Sequence, residues 1–286
     1  SDFMPALLRQ LNLNGPQNYV QFGLGVNADN SIKFLYDDAD GVRNNIETSS
    51  DVIRRDAWNH IAVRTTMGSG VIDISIFVNG FEEVAVTGQN PLYGGIENHD
   101  LYVGAAFLDE NYFFEGAIDE VKMWKSSRTI VEIRDDMASY PEGNEANLML
   151  YYAFEENAGT AIYDLSPNYY NGTLESFNGS AIPQFTVANL PAVWTGVDSE
   201  LWNNSGNWGW YGRLPVGDDD ILITSWAANN PLMTGDLEIG ELILNDHDIF
   251  NVAPGSVLKV TNGVYFKNTL RIRTYSPMWI HSGLRL

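Results

Sequence analysis

The sequence predicts an all-β protein, a sandwich with one short helix, followed by a smaller β module. Residues 113–124 (FFEGAIDEVKMW) alternate apolar and polar side chains, as a half-buried strand does. Asn79-Gly80 separates two strand-like runs, and both residues tolerate positive φ, so the pair predicts a hairpin turn. From residue 237 onward, short apolar runs recur at nearly even spacing between glycines. That spacing is typical of a solenoid of stacked β-turns or of a small sandwich.

Composition limits the classes of function. The chain has 286 residues, 44% of them hydrophobic, enough for one large β domain or two ordinary ones. A formal charge of -21, from 37 acidic and 16 basic residues, disfavours nucleic acid as a partner. The absence of cysteine excludes disulfides, thiol catalysis and thiolate zinc sites. The sequence contains no run of 18 apolar residues, so it predicts no membrane-spanning helix.

The first half of the chain divides into predicted strands and one helix. Residues 1–18 leave a short helix and an opening strand as equal alternatives. After Trp124, Thr129 and Glu132 have the spacing of a capping box, which predicts a short helix. Residues 148–154 (LMLYYAF) are apolar enough for a fully buried strand. The other predicted strands are residues 19–26, 31–36, 58–65, 71–78, 81–86 and 101–106.

The pattern breaks near residues 187–192, where a tryptophan-rich segment begins. We therefore predict two modules, residues 1–188 and residues 189–286. The second is expected to continue beyond Leu286. Four tryptophans at the start of the second module either pack its core or stack on sugar rings: Trp194, Trp202, Trp208 and Trp210.

Four phrases in the first module carry a family resemblance: AWNHIAV, ISIFVNG, LYVG and F-x-G-x-I-D-E-V-x-x-W, in that order. Together they resemble the laminin-G and pentraxin branch of the concanavalin A-like jelly rolls. The resemblance implies a concanavalin A-like jelly-roll sandwich whose loops bind glycans or cell-surface proteins, often with Ca²⁺ organising one edge. Modules of that family carry more strands before the W-N-H phrase, so the resemblance implies that the first module lacks opening strands or completes its sheet with residues 148–185. The opening of the second module, VWTGVDSELWNNSGNWGWYGRLPVGDDDILI, resembles a phrase of large secreted surface proteins of the Bacteroidetes. An extracellular or cell-surface location within a larger chain is therefore expected.

Two polar loops are the predicted ligand contacts, residues 91–100 and 108–112, because both are long and each contains a tyrosine. The side chains expected to contact a glycan or a surface partner are Tyr93, Asp109, Glu110, Asn111 and Tyr112.

Calcium is the one cofactor that the sequence suggests, because an acidic, oxygen-rich surface suits it. The family resemblance implies Asp119 as a ligand, with Asp164 as a candidate second ligand; a plain hydrogen-bonded carboxylate is an equal alternative. Residues 37–47 approach a calcium loop, but Tyr36 stands where the loop requires aspartate, so a hairpin is preferred.

No catalytic site is predicted. Strand alternation places Asp119 and Glu120 on opposite faces, and laminarinase-type enzymes of the superfamily require glutamates where Ala117 and Lys122 stand. The predicted function is a non-catalytic extracellular recognition module that binds a glycan or a surface partner in adhesion. The alternative is a structural spacer or a segment recognised by secretion machinery. A glycoside hydrolase or lyase is the third possibility.

Overall fold

The computed structural model is all-β and divides into two compact units. The first comprises residues 1–137 and 142–186, and the second comprises residues 138–141 and 187–286. The structure describes residues 3–11, 20–94, 99–107, 111–176, 181–187, 189–209, 213–245, 249–266, 271–274, 278–280 and 284–285. The module boundary at residues 188 and 189 stays a prediction.

The first unit is a concanavalin A-like jelly-roll sandwich with one short α-helix among its described residues. Its strands are β1 (Phe3–Leu11), β2 (Val20–Asn27), β3 (Ile32–Asp37), β4 (Arg43–Glu47), β5 (Ile61–Met67), β6 (Ile72–Val78), β7 (Phe81–Gln89), β8 (His99–Val103), β9 (Ala105–Phe107), β10 (Asn111–Phe113), β11 (Val121–Trp124), β12 (Leu148–Tyr152), β13 (Ala161–Ile162) and β14 (Gly172–Thr173). The helix α1 spans Ile130–Ala138.

Two antiparallel sheets form the body of the sandwich. One has the order β4-β3-β2-β1-β8 and the other the order β5-β6-β7. Three two-stranded sheets accompany them, β9 with β10, β11 with β12, and β13 with β14. The apolar core between the two large sheets includes Leu24, Val26, Ile32, Phe34, Tyr36, Ile46, Ile72, Ile74, Ile76 and Val78.

The opening segment, which the sequence leaves undecided, is a strand. β1 lies inside the five-stranded sheet, between β2 and β8. Residues 148–152 therefore do not complete that sheet; they pair with β11 instead.

The prediction of one strand over residues 113–124 is wrong. β10 ends at Phe113 and β11 begins at Val121, with irregular backbone between them. Glu120 has a φ of 55°, in the left-handed region, and this residue cannot continue an extended strand. The apolar residues of the segment still serve the core, since Ile118 packs against a buried cluster that contains Val121. The spacing of these apolar residues therefore resembles that of a strand, although the backbone is irregular.

Three local predictions are confirmed. The Asn79-Gly80 turn has positive φ at both residues and joins β6 to β7. The capping box opens α1: the Glu132 carboxylate accepts from the Thr129 backbone N–H at 2.7 Å, and the Glu132 N–H donates to the Thr129 hydroxyl at 3.3 Å. Residues 37–47 form the preferred hairpin, in which β3 and β4 pair.

The second unit is a solenoid-like β module. Its strands are β15 (Ala192–Trp194), β16 (Ile221–Thr224), β17 (Leu232–Met233), β18 (Leu237–Asn245), β19 (Ile249–Val252), β20 (Leu258–Phe266), β21 (Arg271–Thr274), β22 (Met278–Ile280) and β23 (Leu284–Arg285). The described strands pair in parallel, in sheets of order β15-β16-β18-β20-β22, with β23 on β20, and β17-β19-β21. Each coil takes about 21 residues, since Ile221 pairs with Leu242 and Leu237 with Leu258.

The tryptophans near the start of the second unit pack its core. Trp194, Trp202 and Trp208 are 0%, 6% and 4% exposed, so these three have no free face for a sugar ring. Trp208 meets Trp194 and Trp202 edge-on, with ring centroids 5.0 and 4.5 Å apart. Trp210 lies outside the described residues.

Candidate functional site

The loop over residues 91–100 begins against the body of the sandwich. Tyr93 is half-buried, and its backbone N–H donates to the carbonyl oxygen of Asp37 at 2.8 Å. Leu92 forms a bridge with Asp38, in the turn that follows β3. This end of the loop is therefore fixed, while residues 95–98 lie outside the described residues.

The second predicted loop is only partly within the described ranges. Asp109 and Glu110 lie outside them, whereas the backbone of Asn111 and Tyr112 belongs to β10, which pairs with β9. Ligand contact by these four residues and by Tyr93 stays a prediction.

Asp164 is a buried acceptor at the centre of a turn. Its Oδ1 accepts from the backbone N–H groups of Tyr151 and Ser166, both at 2.9 Å. Its Oδ2 accepts from the Ser166 hydroxyl and from the Tyr170 N–H, both at 2.8 Å. A carboxylate offers about four lone-pair positions, and protein donors take all of them here. In this structure Asp164 is thus a hydrogen-bond acceptor that holds the turn, and calcium binding by it stays a prediction.

Asp119, the other calcium ligand that the family resemblance implies, is a hydrogen-bond acceptor in the segment before β11. Asp119 Oδ1 accepts from the backbone N–H of Glu120 at 2.9 Å, and burial raises the pKa of the Asp119 carboxyl. Among the described residues, no group of three or more His, Cys, Asp or Glu side chains is arranged to hold a metal ion. Calcium binding through Asp119 stays a prediction.

Glu120 belongs to a buried ionic cluster. Its Oε2 lies 3.1 Å from Lys122 Nζ, and the Tyr151 hydroxyl donates to its Oε1 at 3.0 Å. The Glu120 and Lys122 side chains are only 10% and 8% exposed, and Lys122 also donates to the Asp136 carbonyl at 2.8 Å. Burial raises the pKa of Glu120 and lowers that of Lys122. These contacts satisfy both charges within the protein.

A cluster of exposed aromatic side chains lies on residues 163–170, which we call the tyrosine loop. Four large side chains are exposed within these eight residues: Tyr163 at 56%, Leu165 at 50%, Tyr169 at 75% and Tyr170 at 59%. Concentrated apolar exposure of this kind marks interaction surfaces more often than scattered single residues do.

Hydrogen bonds to β12 hold the tyrosine loop in place. The Leu165 N–H donates to the Tyr151 carbonyl at 2.9 Å, and the Tyr152 hydroxyl donates to the Tyr170 carbonyl at 2.5 Å. The Asn168 side-chain amide donates to the Met149 carbonyl at 2.9 Å. With the four bonds of Asp164, these contacts fix the loop backbone at several points.

Tyr169, the most exposed of the three tyrosines, has an unfavourable backbone. Its φ of 56° lies in the left-handed region, which costs a non-glycine residue on the order of 1 kcal/mol. The Asn171 N–H donates to the Tyr169 carbonyl at 2.9 Å and stabilises this turn. Residues held in such conformations occur preferentially at functional sites, where the surrounding structure maintains them.

Sequence reasoning missed this loop. Within residues 159–174 (GTAIYDLSPNYYNGTL), sequence analysis identifies Asp164 alone as a candidate site residue. The available signal was two consecutive tyrosines between Pro167-Asn168 and Asn171-Gly172. Residues of the latter types favour turns, and large aromatics within a turn are exposed more often than those of an alternating strand.

Residues 4–134 match the Laminin_G_3 family model, described as the concanavalin A-like lectin/glucanases superfamily. That match supports the jelly-roll module. It spans slightly less than half of the chain. No curated protein matches the sequence.

Three solved structures are similar to parts of the chain. A Bacteroides ovatus protein described as carbohydrate binding is 18% identical, with a TM-score of 0.44; the match covers 60% of this chain and 51% of that one. The chain thus spans about half of that structure. CBM40 of the Ruminococcus gnavus IT-sialidase is 16% identical over 47% of this chain and 74% of that one, with a TM-score of 0.40. An S-layer domain-containing protein of Clostridium thermocellum is 20% identical over 44% and 59%, with a TM-score of 0.25.

None of the helices in the part of the chain that the structure describes has the length and apolar character needed to cross a bilayer.

Proposed function

We propose that the first unit is a non-catalytic module that binds a glycan through the tyrosine loop. The observation that carries this proposal is the exposure of Tyr163, Tyr169 and Tyr170 on a backbone held by internal hydrogen bonds. Flat aromatic rings match the apolar faces of pyranose sugars, and tyrosine adds a hydroxyl for hydrogen bonding. Adhesion to glycan-bearing surfaces is the role that such a module serves best.

The rigidity of the loop favours binding. A flexible loop must be ordered on association, and each immobilised side chain costs roughly 0.5–1.5 kcal/mol. Here the backbone is already fixed, and a tyrosine side chain has only two rotatable angles. Most of the ordering cost is thus met during folding.

The state of the acids supports a non-catalytic role. Glycosidases use two carboxyl groups on either side of the scissile bond, commonly about 5–9.5 Å apart. In this module Asp164 is saturated by donors, and Glu120 is paired with Lys122. Neither carboxylate is available as a second group opposite Asp119.

The setting that we propose is a secreted or cell-surface protein with modules at residues 1–188 and 189–286. The superfamily match of residues 4–134 supports this setting, because its description includes lectins. The parallel coils of the second unit favour an additional role as a spacer, since stacked repeats extend a protein in one dimension.

The test is affinity electrophoresis of the whole chain in native gels containing individual polysaccharides. We expect Tyr169→Ala with Tyr170→Ala to weaken binding at least about tenfold, as loss of interface aromatics does. Val131→Ala on α1, where the side chain is 60% exposed, is the matched control and should bind as the native chain does.

Tyr93→Ala and Tyr112→Ala examine the loops predicted from sequence. If these variants lose binding and the tyrosine-loop variant retains it, the proposed site is wrong. If no polysaccharide retards the native chain, the spacer role is the better account of the molecule.

A further inference from the structure

The tyrosine loop lies in a long stretch without basic residues. Residues 142–186, which belong to the same unit, contain six acidic residues and no lysine, arginine or histidine. Asp164 lies within the tyrosine loop, and Glu145 and Glu156 are bonded close to it. Carboxylates therefore supply all the side-chain charges of this segment.

The carboxylates of Glu145, Glu156 and Asp164 accept hydrogen bonds from backbone N–H groups. Glu145 accepts from the backbone N–H groups of Glu142 and Gly143 at 2.6 and 3.0 Å. Glu156 Oε1 accepts from the Tyr163 N–H at 2.8 Å, and all four acceptor positions of Asp164 are used. They contribute negative charge to the surroundings but present few free oxygens to a ligand.

A lysine side chain contacts the loop. Lys125 Nζ donates to Asn168 Oδ1 at 3.2 Å. The net charge of Lys125, Asp164, Glu145 and Glu156 together is negative. A sulfate or carboxylate group on a ligand would be repelled.

We infer that the ligand of the tyrosine loop is an uncharged pyranose glycan, and that sulfated and uronic-acid glycans are excluded from it. The side chains offered for contact are three tyrosines and one leucine, which carry no charge. A cationic ligand would need free carboxylates at the loop, and Asp164, Glu145 and Glu156 accept hydrogen bonds from the protein itself. This inference rests on the proposed function, because it specifies the ligand of the same site.

The experiment compares neutral polysaccharides with their own sulfated forms. Dextran, mannan, galactan, xylan and hydroxyethylcellulose, each native and chemically sulfated, are cast in native gels with the whole chain and with the Tyr169→Ala, Tyr170→Ala variant. We expect at least one neutral polysaccharide to bind tenfold or more tightly than its sulfated form, through the two tyrosines. Added salt should narrow the difference, because it screens the repulsion.

Equal or tighter binding of the sulfated form, lost in the tyrosine variant, would overturn the inference but leave glycan binding by the loop intact. Failure of every polysaccharide to retard the native chain would overturn the proposed function and this inference with it. Thermal unfolding of both proteins verifies that the variant is folded.

Discussion

Asp164 Oδ1 accepts a hydrogen bond from the backbone N–H of Tyr151, with 2.9 Å between the two atoms. Tyr151 also accepts from the Leu165 N–H through its carbonyl, and its hydroxyl donates to Glu120. One residue of β12 thus holds the tyrosine loop through its backbone and the buried ionic cluster through its side chain. Loss of Asp164 should therefore affect both stability and binding.

We expect Asp164→Ala to lower the free energy of unfolding by about 3 kcal/mol, because it leaves buried N–H groups without acceptors. Asp40→Ala is the control, since Asp40 is exposed in the turn after β3, and it should change stability by less than about 0.5 kcal/mol. Chemical denaturation measures both. Equal, small effects would show that the Asp164 bonds do not hold the turn.

Calcium bound through Asp119 should raise the melting temperature by several degrees, because an ion held only by the folded state stabilises that state. The rise should be absent in Asp119→Ala. Thermal unfolding in calcium and in a chelator measures the difference. An equal melting temperature of the native chain under both conditions would contradict calcium binding through Asp119.

Alanine substitutions at two glycines distinguish the cost of backbone strain from the cost of a clash with the tyrosine loop. Gly143 and Gly159 have φ values of 91° and 88°, so alanine at either position costs about 1 kcal/mol. A Cβ at Gly143 would clash with the Leu165 carbonyl oxygen, whereas one at Gly159 would meet no atom within 4 Å.

Gly143→Ala should therefore cost roughly 1–3 kcal/mol more than Gly159→Ala and should weaken glycan binding as well. Denaturation and affinity electrophoresis of the two variants provide the comparison. Identical behaviour would mean that residues 142–145 do not support the loop.

The buried and exposed ion pairs should differ sharply in their effect on stability. Lys122→Met leaves Glu120 buried without its partner, which we expect to destabilise the fold by about 3 kcal/mol. Lys259→Met removes a pair with Glu238 in which the side chains are 39% and 49% exposed, and about 0.5 kcal/mol or less is expected. A Lys122 variant as stable as the Lys259 variant would show that the buried Glu120–Lys122 pair does not stabilise the fold.

Features encoded over a few neighbouring residues were predictable from sequence. Thr129 and Glu132 identify the start of α1, and Asn79-Gly80 identifies a hairpin, because each depends on local backbone geometry. Even spacing of apolar runs allowed a solenoid in the second unit, although it did not separate that fold from a small sandwich.

Features set by distant contacts were not predictable. The left-handed Glu120 interrupts a sequence that alternates like a strand, and its side chain pairs with Lys122 and Tyr151. Asp164 has the residue type of a calcium ligand, but bonds from Tyr151 and Tyr170 decide its role. Exposure of Tyr169 likewise depends on how the whole loop packs on β12.

Amide chemical-shift mapping with an oligosaccharide of the polysaccharide that binds tests the central claim most directly. The account predicts that the largest shifts on titration fall on the backbone amides of residues 163–170, with little change over residues 91–112. Shifts concentrated at residues 91–112 and absent from the tyrosine loop would contradict it.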